Sequence, residues 1–274
     1  MRVFPVAGPQ QIVPRRRTSS TELHWISRAV GSAPEKSERH DWAVIDRDLG
    51  DRDWTTIDPL PLRKSKGLRF RFTPSLYFWQ PTETHVWCES QEERWEVLWL
   101  EYSGQVERLW AQPVAITFGH GSRLSGYSHF PDLLALFADG SYGLLDVRPA
   151  ERVDDAARIQ FGETAAACGV LGWRYRVLTG HDKRATGNLD SLSASRHDRC
   201  RPGHETETLI LNAARAGRSR GDLCLIASPD CPPHACAWVD NLAWRRLLHV
   251  DLGGVFSSET VYTTTEAALT GAVA

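Results

Sequence analysis

Residues 128–149 constrain this chain most. Ser128-His129-Phe130-Pro131-Asp132 runs into Leu133-Leu134-Ala135-Leu136-Phe137, then Ala138-Asp139-Gly140, and then Leu144-Leu145-Asp146-Val147-Arg148-Pro149. Two apolar runs parted by Asp-Gly predict buried neighbouring strands joined by a tight turn, because both turn residues tolerate the positive φ that a two-residue turn demands. Asp146 and Arg148 stand two apart, so they project from one face of their strand. Asp132 opens the strand beside it. The pattern can therefore bring two carboxylates and a cation to one edge of a small sheet. Close carboxylates repel unless positive charge lies between them. A hard divalent cation, Mg2+ or Mn2+, is the natural candidate. A strand-end aspartate and an Asp-Arg pair on a half-exposed face would give the same letters, so the rest of the chain must decide.

Overall charge does not select a nucleic-acid partner. Lys plus Arg number 32 against 34 Asp plus Glu, for a net charge of −2, so any basic surface has to be local. The only lysines are Lys36, Lys64, Lys66 and Lys183; arginine supplies the rest of the positive charge. The start of the chain has no long apolar segment and no stretch is long enough to span a bilayer, which predicts a soluble, cytoplasmic protein. The cysteines (88, 168, 200, 224, 231 and 236) do not form a disulfide-scaffold pattern and are expected to be reduced.

Residues 1–84 read as a partly ordered N-terminal arm. It carries the basic run Arg15-Arg16-Arg17, a short helix expected over 21–30, a strand at 41–46 and a solvated loop at 47–53. Arg69-Phe70-Arg71-Phe72 alternates cation and aromatic. That suits DNA phosphate and base contacts by Arg69 and Arg71, and equally an edge strand guarded by charge. Residues 85–182 read as a compact α/β core. Ser90 and Glu93 form a capping box that opens a helix ended by Gly104. A strand pair or bent strand containing Gln112-Pro113 follows, then the two central strands. An amphipathic helix over 152–168, with Gln160 facing the site, and a strand at 173–178 complete the core. His129, next to Pro131-Asp132, is a candidate neighbour of the metal site or a DNA contact, although a lone histidine is more often an ordinary polar residue. Residues 183–274 read as a linker, a helix over 205–216, a helix-turn-helix pattern and a terminal hairpin near 250–262. Cys231, His234 and Cys236, with Cys200, His204 and Cys224 nearby, could hold zinc, but their spacings are irregular.

Taken together, Pro131-Asp132, a hairpin and Asp146-x-Arg148 resemble the PD-(D/E)xK nuclease signature. Glu89-Ser90-x-x-Glu93-Arg94, Ala111-Gln112-Pro113, His129-x-Pro131-Asp132, Asp139-Gly140, Leu145-Asp146-Val147-Arg148-Pro149 and Gly172-Trp173-x-Tyr175, in this order, resemble the TnsA-like endonuclease subunits of heteromeric transposases. The likeness covers roughly residues 85–180, and the C-terminal part only faintly. It implies a restriction-endonuclease-like core (a mixed sheet flanked by helices) and a small helical, winged-helix-like C-terminal domain that docks on a partner protein. It implies metal binding by Asp132, Asp146 and Glu93, with Arg148 at the phosphate or the attacking water. It further implies hydrolysis of the 5′, non-transferred strands at transposon ends, beside a DDE-type transposase subunit and an ATPase regulator. Asp146 stands where the family has Glu or Gln, and Arg148 where it has Lys. Arginine stabilises charge but is a poor proton donor or acceptor, so a catalytically silent adaptor with the same fold is the alternative expectation. A stand-alone restriction or repair nuclease is another.

Overall fold

The computed structural model describes residues 12–14, 18–28, 38–62 and 74–270. Arg15, Arg16, Arg17 and the candidate DNA contacts Arg69 and Arg71 lie outside them. The fold is mixed α/β, and the chain divides into two units, Met1–Gly180 and His181–Ala274.

The first unit begins with β1 (Ile12–Pro14), β2 (Glu22–Arg28), β3 (Glu38–Val44), α1 (Arg47–Gly50) and α2 (Trp54–Ile57). The hairpin β4 (Ser75–Trp79) and β5 (Thr84–Cys88) follows, then α3 (Gln91–Ser103), β6 (Val106–Ala111), β7 (Val114–Thr117) and β8 (Tyr127–His129). The last elements are β9 (Leu133–Phe137), β10 (Tyr142–Val147), α4 (Asp155–Leu171) and β11 (Arg174–Leu178). Two sheets dominate. One has five strands in the order β1-β8-β7-β2-β3, the other four in the order β11-β10-β9-β6. In the second, β6, β9 and β10 pair antiparallel, whereas β10 and β11 run parallel. A parallel pair needs a long crossover, and α4 supplies it.

The helix expected over 21–30 is a strand. Leu23 and Trp25 are buried while Glu22, His24 and Ile26 are partly exposed, the period-two pattern of a half-buried strand. Pairing to β3 on one side and β7 on the other fixes it. Segment 47–53, expected as a solvated loop, holds α1. Asp46 caps that helix through Leu49 N–H at 2.7 Å, and Asp53 caps α2 through Thr55 N–H at 2.9 Å. Residues from this early segment enter the main core. Trp54 meets Trp25 and Trp173 edge-on, with ring centroids 5.5 and 5.2 Å away, a preferred aromatic geometry. Leu134, Leu144, Cys168 and Leu171 join the same cluster. Gly50 is required by close approach: a Cβ there would fall 1.8 Å from Leu171 O.

The capping box stands as expected, Ser90 Oγ accepting from Glu93 N–H at 3.1 Å, and Gly104 ends α3 at φ 63°. The β9–β10 hairpin is also present, with a different turn. Gly140 N–H closes on Phe137 O at 2.9 Å, and only Gly140, at φ 79°, takes the left-handed region. Asp139 instead accepts from Ser141 Oγ at 2.7 Å and Ser141 N–H at 3.2 Å. The loop is thus one ordinary turn followed by a left-handed glycine, not a two-residue turn with both residues inverted.

The second unit contains α5 (Lys183–Ser193), α6 (His204–Ala213), β12 (Arg218–Ser219), α7 (Arg220–Ala227), α8 (Pro232–Trp244), β13 (Leu248–Val250), β14 (Val261–Thr264) and α9 (Glu266–Thr270). Its sheet order is β12-β14-β13. The linker expected after residue 182 is the helix α5, capped by Asp182 through Ala185 N–H at 2.9 Å, with Leu189 and Leu192 buried. Arg220 at the start of α7 holds Asp240 of α8 through two bonds, Nε–Oδ1 at 2.9 Å and Nη2–Oδ2 at 2.5 Å. Tyr262 of β14 donates to the same carboxylate at 3.1 Å.

Candidate active site

The register of β9 and β10 places the site. Leu133 pairs with Leu145, so one step outward Asp132 stands opposite Asp146. Strand β9 begins only at Leu133, so the next amide on β10 needs another acceptor. Asp132 provides one: its Oδ2 accepts from Val147 N–H at 2.8 Å. Its own carbonyl accepts from Gln112 N–H at 2.8 Å. Gln112 lies in the bend between β6 and β7 with φ 46° and is buried, and its Nε2 has no hydrogen-bond partner among the described residues.

Asp146 is fully buried, at 0% exposure, and Asp132 is nearly so at 5%. Tyr175 donates to Asp146 Oδ2 at 2.5 Å. Its ring is aimed there by the parallel register, which sets Leu144 beside Tyr175. His129, at the end of β8, brings Nε2 within 3.2 Å of Asp146 Oδ1. Although close, the two atoms are not aligned as a hydrogen bond, and among the described residues neither has a hydrogen-bond partner. His129 Nδ1 lies 2.8 Å from Thr164 Oγ1, and that hydroxyl donates to Gln160 O at 2.8 Å. The Gln160 carbonyl thus reaches the site through Thr164.

The local field is strongly negative. Burial, and then the Asp146 charge, hold the Tyr175 phenol far above its ordinary range. Burial and the same carboxylate push the Cys168 thiol up to about 12. Both groups stay neutral near pH 7, so Tyr175 is a permanent donor. Such a field favours a bound cation. Among the described residues, no three His, Cys, Asp or Glu side chains form a ready metal cage. Magnesium-like ions are commonly held by one or two carboxylates, with water or phosphate completing the shell. An orphaned Asp146 oxygen beside a second carboxylate fits that mode.

Arg148 is half-buried and donates from Nε to Arg152 O at 2.9 Å. Glu93 commits its carboxylate to the capping box, Oε2 accepting from Glu89 N–H at 2.8 Å and Oε1 from Ser90 Oγ at 3.1 Å. One turn further along α3, the buried Glu96 accepts from Gly180 N–H at 2.9 Å. Gly180 follows the strand end where Leu178 O receives Arg148 N–H at 2.9 Å, so Glu96 and Arg148 serve the same end of the sheet. From the sequence, Tyr175 entered only as part of Gly172-Trp173-x-Tyr175 with no role at the site, and Thr164 and Glu96 were not singled out. Thr164 could have been found from its spacing, since Gln160, Thr164 and Cys168 recur every four residues on one face of α4. In the second unit, Cys231 is exposed and Cys236 Sγ lies 3.4 Å from Cys224 Sγ.

In comparisons with known proteins, no family model matches the chain, and no curated protein matches it in sequence. No helix among the described residues is long and apolar enough to cross a membrane.

Proposed function

We propose that this chain is a metal-dependent DNA endonuclease subunit of a TnsA-like transposition system. The observation that carries the reading is that Asp132 and Asp146 lie one step beyond the Leu133–Leu145 pair of β9 and β10, with Arg148 just past the end of β10. The order of elements supports it. Helix α3, strands β6, β9 and β10, helix α4 and strand β11 form a mixed four-stranded sheet in sequential order, which suits a restriction-endonuclease-like core. In the second unit α6, β12, α7, α8, β13 and β14 follow a winged-helix-like order. Helix α8 carries no Lys or Arg, which suits docking on a protein partner better than phosphate contact.

A divalent ion at such a site supplies charge neutralisation and an activated water for phosphodiester hydrolysis. The chain's own residues would do the following. Asp146 and Asp132 hold the ion. Val147 N–H and Tyr175 OH fix the rotamers of those carboxylates, so that the lone pairs left over point consistently. Glu96 of α3, which accepts from Gly180 N–H at that end of the sheet, joins Glu93 as a candidate third acidic group. Arg148 supplies fixed positive charge for a scissile phosphate. The transposase and ATPase partners follow from the resemblance alone.

A second reading has a specific observation behind it. Asp146 is wholly buried and Arg148 replaces a lysine, as a silent adaptor would tolerate. Incubating the purified chain at micromolar concentration with duplex DNA and Mg2+ or Mn2+ separates the two. The nuclease reading predicts metal-dependent strand breaks that fall at least about a hundredfold in Asp132→Ala. Equal breakage by wild type and variant would favour the adaptor.

A further inference from the structure

We propose that His129 is itself a metal ligand, through Nε2, and that together with Asp146 Oδ1 it makes the site prefer a first-row transition ion to Mg2+. The inference uses the same Asp146 as the nuclease reading and deepens it by assigning the class of ion.

Thr164 has a single hydroxyl proton. Its Oγ1 lies 2.8 Å from Gln160 O, and a carbonyl only accepts, so the proton is spent there. Oγ1 can then meet His129 Nδ1, 2.8 Å away, only as an acceptor. Nδ1 therefore carries a ring proton, and Nε2 is the nitrogen turned toward the carboxylate. Nε2 stands 3.2 Å from Asp146 Oδ1, both residues are fully buried, and neither atom has a hydrogen-bond partner among the described residues. The Tyr175 proton is already committed to the other oxygen, Oδ2. A cation held between the two atoms satisfies both.

The spacing agrees. Two ligand atoms at right angles, each about 2.1 Å from one ion, stand about 3.0 Å apart. The Thr164 contact at Nδ1 is the outer hydrogen bond that orients a metal-binding histidine. Imidazole nitrogen suits first-row transition ions, whereas Mg2+ takes oxygen ligands and gives up water reluctantly.

Mn2+ is the probe of choice because it is paramagnetic. The full chain, without DNA, is titrated with Mn2+ and examined by pulsed electron paramagnetic resonance. We expect one bound ion with hyperfine coupling to a directly coordinated imidazole nitrogen, and Mg2+ displacing it only at about tenfold excess or more. His129→Asn should lose the nitrogen coupling and most of the preference for Mn2+, while Mg2+ binding barely changes. A wild-type complex without nitrogen coupling overturns the assignment. So does the absence of any bound ion at millimolar Mn2+, the result expected if a proton, in an imidazolium–carboxylate pair, fills the gap. Nitrogen-coupled Mn2+ in a chain that never cuts DNA supports the ligand assignment and defeats the nuclease reading instead.

Discussion

Asp146 shows what a single side chain can and cannot reveal from sequence. Its letter and its distance from Arg148 indicate a shared strand face, whereas strand β10 stops at Val147, one residue short of Arg148. They do not indicate that the carboxylate lies beneath α4, hydrogen-bonded by Tyr175 and facing His129. Those partners come from β11 and β8, far away in the chain, and only the folded register brings them in. Tyr175→Phe removes the single hydroxyl that satisfies Asp146 Oδ2. A buried charged acceptor left without its donor costs about 1–3 kcal/mol, so the variant should unfold at correspondingly lower urea. An unchanged midpoint would mean that Tyr175 does not support the carboxylate. Glu93 is the opposite case. Its sequence neighbours predicted capping, and the structure shows the cap, its carboxylate accepting from Glu89 N–H and Ser90 Oγ; ion binding by Glu93 rests on the resemblance alone.

Among the elements, those governed by local chemistry were readable. The Ser90 and Glu93 box opens α3 and Gly104 closes it, because capping needs only residues a turn apart. The β9–β10 hairpin was readable from its apolar runs, though not its turn type, since Ser141 draws Asp139 into a local hydrogen bond. Strand β2 was misread because its identity depends on pairing with β7, about ninety residues later. Helix α5 was missed because a polar, Asp- and Ser-rich segment hides two buried leucines. In the second unit the start of α7, the middle of α8 and β14 are tied at one carboxylate, by Arg220 and Tyr262 on Asp240. Asp240→Ala leaves the guanidinium half-sheltered without its partner and should cost about 2 kcal/mol. Chemical denaturation of the full chain, followed by a probe in the second unit, measures it. A loss indistinguishable from zero would show that the pair is solvated.

For the whole molecule, charge is the limiting property. A net charge of −2 gives the chain no overall electrostatic attraction to DNA, and α8 adds no Lys or Arg. Alone, it should bind a random duplex no tighter than about micromolar at physiological salt, measurable by fluorescence anisotropy. Nanomolar binding would contradict a subunit positioned by a partner. The most direct single measurement is strand-resolved cleavage of a labelled transposon-end duplex, with Mg2+ or Mn2+ and the cognate transposase present, comparing wild type with Asp146→Asn. If Asp132 and Asp146 form a hydrolytic centre, 5′-strand cuts appear with wild type and vanish in the variant, while the transposase still cuts the 3′ strands. If the 5′ strands stay intact with wild type in a fully assembled complex, or are cut equally by the variant, the nuclease assignment is wrong.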